Sequence, residues 1–242
     1  MRRAGHTTFL FLALISALLL VAPMWAGGNQ EESSDRSGGE GPDADYVGIA
    51  AVMLRDGNLS RAEDALSNVD EDDPDLDRGR YFTLRGLLAL RSGDADAAIT
   101  EFQSAIENGQ EDPSINAYLA QAFYLAERYE ETIDAIERLP SLRDFPSLYS
   151  VRAAAQWNLD QWEAAFQTLE RAELLFPDRE DFARQQVVYL LELGLSREAA
   201  RRSVQFLESA PPEPDSYLTI GQALREGGER ESAIQVLEEA RL

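Results

Sequence analysis

The sequence contains no cysteine and no lysine, and its one histidine is His6. The missing cysteine excludes disulfides, a lipid-modified cysteine at the amino terminus and thiol nucleophiles. The missing lysine excludes Schiff-base chemistry. Beyond His6 no imidazole remains to move protons near neutral pH, and the Cys/His sets that hold zinc cannot be assembled. Carboxylates are the chemistry that is left. A glycan hydrolase needs only two Asp or Glu about a cleft, but among 44 acidic residues no pair stands apart from the rest. The expectation is a protein without catalytic residues or cofactor.

Positive charge is the next scarcity. All 22 basic residues are arginine, against 44 Asp and Glu. Without Arg2 and Arg3 the balance is 20 arginines against 44 acids, a charge of −24. Such a field repels phosphate backbones and anionic headgroups, so nucleic acid is not an expected ligand. Most of these carboxylates are expected on solvated helix faces.

Long apolar runs are confined to the beginning. Arg2 and Arg3 precede the uncharged run Phe9 to Ala22, Pro23 breaks it, and Ala26-Gly27-Gly28 supplies small residues. Residues 1–28 have the form of a secretory leader. The other reading is an uncleaved anchor through residues 9–26, about the length that crosses a bilayer. On either reading the arginines stay inside and the remainder is exported, to the periplasm or the outer side of a membrane. Residues 29–42 (NQEESSDRSGGEGP) lack large apolar side chains and are expected to be a polar linker.

From residue 43 onward a period appears. Candidate turns at Gly57, Gly93, Glu127, Asp160, Gly194 and Gly228 are separated by 36, 34, 33, 34 and 34 residues. Seven residues before them stand Ala50, Gly86, Ala120, Ala153, Val187 and Gly221, and five after them Ala62, Ala98, Thr132, Ala165, Ala199 and Ala233. Nine after come Leu66, Phe102, Ile136, Leu169, Ser203 and Leu237. Small residues at a crossing let two helices approach to about 8–10 Å, and bulkier ones a turn away close over the contact. The spacing predicts two antiparallel helices per unit.

This skeleton resembles the tetratricopeptide repeat, most clearly over Tyr149 to Pro177 (YSVRAAAQWNLDQWEAAFQTLERAELLFP) and Tyr217 to Ala240. The resemblance covers 43–242 in six units, about 43–78, 79–112, 113–145, 146–179, 180–213 and 214–242. Thr132, Val187 and Ser203 depart from the pattern. The resemblance implies an all-α, right-handed α-solenoid of helix-turn-helix repeats. It also implies that a protein or peptide partner docks on a concave face lined by the first helix of each unit.

Projected onto this sequence, that face offers Leu87, Leu90, Arg91, Gln121, Tyr124, Leu125, Trp157, Arg184, Val188 and Leu191. An apolar segment is expected to lie there, with Arg91 and Arg184 holding a carboxylate at the rim. The competing reading has Tyr124 and Trp157 packed between neighbouring first helices. With no lysine in the sequence, the carboxylate clamp known in the family is not expected here. The final hairpin is expected to expose an apolar edge at Ile234, Val236, Leu237 and Leu242, used by a homo-oligomer or a partner. Asp73, Asp75 and Asp77 alternate as in a calcium loop, but Arg78 and Leu84 stand where glycine and glutamate belong, and no metal site is assigned. The functional expectation is an exported adaptor or scaffold of the cell envelope. The alternatives are a carboxylate-only enzyme acting on cell-wall glycans and a calcium-dependent binding module.

Overall fold

The computed structural model describes residues 45–209 and 214–240. The segments expected to be a leader and a polar linker, and Leu242, lie outside the described residues. Among the described residues twelve α-helices follow one another and there is no strand. The fold class is the expected one, an all-α helical repeat of the solenoid type. The chain divides into two compact units, one ending at Leu139 and the other beginning at Pro140.

The first unit holds α1 (Tyr46–Arg55), α2 (Leu59–Ser67), α3 (Arg78–Ser92), α4 (Ala95–Glu107), α5 (Ser114–Leu125) and α6 (Tyr129–Glu137). The second holds a short 3-10 turn (Leu142–Asp144), then α7 (Ser147–Asn158), α8 (Trp162–Leu175), α9 (Asp181–Glu192), α10 (Ser196–Ser209), α11 (Pro214–Gly227) and α12 (Arg230–Glu239). Each unit is a stack of three hairpins, pairing α1 with α2, α3 with α4 and so on.

The hairpin turns share one backbone solution. All six spaced turn residues stand at positive φ: Gly57 at 75°, Gly93 at 82°, Glu127 and Asp160 at 59°, Gly194 at 74° and Gly228 at 98°. In every case the next residue donates its amide to the carbonyl five residues back, at 2.8–2.9 Å, as Asn58 does to Met53 and Glu229 to Leu224. This left-handed closure satisfies the last carbonyls of the first helix and reverses the chain. The second helix then starts at once. Asn58 and Asp94 cap α2 and α4 by accepting from the amides of Arg61 and Ala97. Where the next repeat begins, Asp77 caps α3 in the same way, and Pro113 and Pro146 precede α5 and α7.

The small residues act where the helices cross. A Cβ at Gly86 would stand 2.6 Å from the ring of Phe102, and one at Gly221 2.8 Å from Leu237. Both are contacts within a hairpin, between α3 and α4 and between α11 and α12. Ala50, Ala62, Ala98, Ala120, Ala153, Ala165, Ala199 and Ala233 are all buried. Val187 and Thr132, two of the departures, are buried as well, and the Thr132 hydroxyl donates to the Arg128 carbonyl. Ser203, the third, is buried with no hydrogen-bond partner for its Oγ among the described residues.

Candidate functional site

In the first unit the projected face is carried by α3 and α5. Leu87 is half-buried against the core formed by Ala50, Leu54, Tyr81 and Leu84, while Leu90 is buried outright. Arg91 donates to the Leu54 carbonyl in the last turn of α1. Its guanidinium therefore closes the end of the neighbouring first helix, where positive charge is favoured. On α5, Gln121, Tyr124 and Leu125 are half-buried. The Tyr124 ring lies 5.8 Å from that of Tyr129 on α6.

In the second unit the expected docking aromatic is part of the core. Trp157 is buried, with its indole stacked on Tyr189 at 4.0 Å between centroids and 5° between planes. Phe166 stands edge-on at 6.3 Å, and the indole Nε1 donates to Glu192 at 2.9 Å. This is the inter-helix packing reading, realised between α7 and α9. Val188 packs on the same cluster, and Leu191 on Val187, Ala199 and Ala223. Arg184 is half-buried on α9. Leu218, at the equivalent position on α11, is 72% exposed. Sequence reasoning left Leu218 out of the candidate face, although it stands ten residues before a turn as Arg184 does.

A polar seam along these first helices was not foreseen either. Gln185, buried on α9, donates its Nε2 to the Ser150 carbonyl at 3.2 Å and to the Tyr189 hydroxyl at 2.7 Å. Ser150 Oγ donates to Asp181 at 3.3 Å, and Arg179 holds the same carboxylate through two bonds of 3.1 and 2.9 Å. Ser216 donates to Glu180 at 2.6 Å. These bonds tie α7, α9 and α11 together along one side. Between α8, α9 and α10, Arg202 reaches both oxygens of Glu173, at 2.5 and 2.6 Å, and the amide of Gln186 bonds to both residues. Their sequence signal is slight, because Gln and Ser at helical surface positions look the same whether or not a neighbour covers them.

The acidic loop 70–77 is folded back onto α3. Tyr81 donates to Glu71 at 2.8 Å, Arg85 donates to Tyr81 at 3.1 Å and pairs with Glu101 at 2.7 Å, and Arg78 donates to the Glu71 carbonyl at 2.7 Å. Asp73 accepts from the amide of Asp75, and Asp77 caps α3. These carboxylates thus terminate turns and helices. Among the described residues no three His, Cys, Asp or Glu side chains come together to hold a metal ion. Burial raises the phenol of Tyr81, with the Glu71 bond adding to the rise and Arg85 opposing it. Burial likewise raises Glu101, against the lowering effect of Arg85.

At the carboxyl-terminal hairpin, Ile234 is exposed and Leu237 partly so. Val236, expected on the same edge, is instead in the core with Ala183, Ala200, Phe206, Ile220 and Leu224. The helical period puts it on the opposite side of α12 from Ile234. Among the described residues no helix is long and apolar enough to cross a membrane.

A family model described as tetratricopeptide repeat matches residues 83–148, and a second of the same description matches 214–240. Solved structures similar to the chain include PilF of Pseudomonas aeruginosa, at 16% identity and a TM-score of 0.61, with 81% of this chain and 89% of that one covered. Others are MamA from AMB-1, at 14% identity and a TM-score of 0.48, covering 81% and 88%, and MamA from MSR-1, at 14% and 0.48, covering 81% and 92%. At 16% identity the likeness to PilF shows a shared fold and nothing finer. No curated protein matches the sequence.

Proposed function

The chain is a member of the tetratricopeptide-repeat family, and from that premise we propose that it is a protein-binding scaffold whose docking surface is the first-helix face of its repeats. The observation that carries this reading is a set of apolar side chains left partly open on first helices. These are Leu87, Tyr124 and Leu125 in the first unit, and Val188, Leu191 and the exposed Leu218 in the second. Gln121 and Arg184 supply polar groups beside them. Arg184 makes no ion pair among the described residues and is the cation available to a partner's carboxylate, whereas Arg91 is engaged by Leu54. Trp157 supports the face from beneath and does not touch the partner. Binding without catalysis agrees with the inventory, since nothing after His6 supplies an imidazole, a thiol or an amine side chain.

The place of action in this reading is the cell envelope. Its support is the leader form of residues 1–28, with attachment through residues 9–26 where the leader is retained. The charge of −22 favours a partner that is basic outside its apolar contact.

The test is site-specific photocrosslinking in the native envelope from positions 121 and 218, followed by capture with Leu87→Asp and Leu218→Asp chains. The same polypeptide is expected from both positions, and each variant is expected to retain at least about tenfold less of it, as burying a charge in an apolar contact requires. Undiminished capture by variants of unchanged helicity would overturn the first-helix reading.

A further inference from the structure

Several positions that are closed in inner hairpins stand open in the first and the last, and together they point to what covers them. Nine residues after each turn the side chains Leu66, Phe102, Ile136, Leu169 and Ser203 are 5%, 0%, 2%, 0% and 0% exposed, whereas Leu237 is 38% exposed. Six after the turn, Ala200 is 4% exposed and its equivalent Ile234 58%. In the second unit the difference has a visible cause. The α11–α12 hairpin seals Ala200 and Phe206 of α10 with Ile220, Leu224 and Val236. The same face of α12 carries Ile and Leu where α10 carries Ala and Ser.

The complementary face is open on α1. Ile49 and Val52 are 42% and 40% exposed. Of their equivalents, Leu119 and Ala122 on α5 and Ile220 and Ala223 on α11 are between 0% and 2% exposed, and Arg85 and Leu88 on α3 are half-buried. On α11 these are the residues that meet the preceding hairpin. The chain therefore presents one half of its own hairpin-stacking contact at Ile49 and Val52, and the other half at Ile234 and Leu237.

We propose that copies of this chain associate head to tail, with Ile49 and Val52 of one copy laid on Ile234 and Leu237 of the next, repeating the contact that α11–α12 makes on α9–α10. The occupant is a second copy because the two open faces match the two sides of a contact the chain already makes. The contact is heterologous, so each added copy leaves one face of each kind open until a ring closes. It rests on the stacking faces and is independent of the docking surface proposed above. Each copy carries a charge of −22, so repulsion opposes the apolar contact. That repulsion is screened as the Debye length falls from about 10 Å at 0.1 M salt to about 3 Å at 1 M.

Sedimentation velocity of the full chain across a concentration series, at low and high salt, tests this with two variants. One carries Ile49→Glu and Val52→Glu, the other Ile234→Glu and Leu237→Glu. The wild-type mass is expected to rise past that of a dimer with concentration and further with salt. Each variant alone stays monomeric, and an equal mixture forms a dimer that grows no further. Because Leu237 lies over Gly221, Ile234→Glu alone serves as a milder second variant, with helicity checked by circular dichroism. A wild type that is monomeric throughout overturns the proposal, as does a mixture of folded variants that fails to pair. Dimerisation of the Ile49/Val52 variant by itself shows symmetric pairing of the carboxyl-terminal face and overturns the head-to-tail arrangement.

Discussion

Ser203 is the residue at which the fold is least well served. Its hydroxyl is buried on α10 with no partner among the described residues, at a position filled elsewhere by Leu, Phe or Ile. A buried hydroxyl without a hydrogen bond costs about 1–3 kcal/mol. Ser203→Ala is accordingly expected to stabilise the chain by about 1–2 kcal/mol, read as a higher midpoint in urea with an unchanged slope. Phenols contribute a pH dependence at the alkaline end. Burial raises Tyr81, Tyr118 and Tyr129; Glu71, Asp112 and Glu127 respectively push them the same way, while Arg85 and Arg91 oppose the rise at Tyr81 and Tyr118. A raised folded pKa means that the stability these groups contribute is complete below their unfolded value of about 10 and is lost as pH climbs through the folded value. Absorbance titration of the eight tyrosines is expected to show a late-ionising subset that joins the rest when urea unfolds the chain. A single transition common to folded and unfolded protein would contradict these assignments. None of this was legible in the sequence, because burial of a phenol or hydroxyl depends on what a distant hairpin lays over it.

Turns and crossings are the element-scale features, and their glycines separate into two kinds. Gly93 stands at φ 82°, and a Cβ there would have nothing within 4 Å, so Gly93→Ala meets backbone strain alone, about 1–2 kcal/mol. Gly86→Ala meets the buried ring of Phe102 at 2.6 Å in ordinary helical backbone, and overpacking there is expected to cost about 1–3 kcal/mol. Glu127→Gly, at φ 59°, is expected to move the other way by up to about 1 kcal/mol. Thermal unfolding of the three variants distinguishes strain from crowding, since only at Gly86 would Phe102→Leu restore what was lost. At this scale the sequence was nearly sufficient. All six turn positions and the small residues at the crossings follow from a 34-residue spacing and local stereochemistry. The candidate face was only half legible: periodicity could not distinguish an open Leu218 from a stacked Trp157.

For the whole molecule, the absence of lysine confines trypsin to arginine. Between residues 45 and 240, Arg143 lies exposed in the 3-10 turn that opens the second unit, while most other arginines are on helices. Brief digestion is expected to cut after Arg143 first within that range and to leave fragments that keep their helicity, as mass spectrometry and circular dichroism of the products would show. Earlier cutting inside α7 or α9 would mean that the second unit opens before its boundary does. The sequence by itself determined the helical class, the number and phase of the hairpins, the turn chemistry and the exclusion of imidazole, thiol and amine catalysis, because each depends on residue type and on spacing along the chain. Tertiary structure alone decided that Arg91 closes α1, that Trp157 stacks on Tyr189, that Val236 is core while Ile234 is open, and that a polar seam joins α7 to α9. Those outcomes turn on which side chain of a neighbouring hairpin occupies a given few ångströms, and a one-dimensional pattern repeated six times assigns the same environment to every copy.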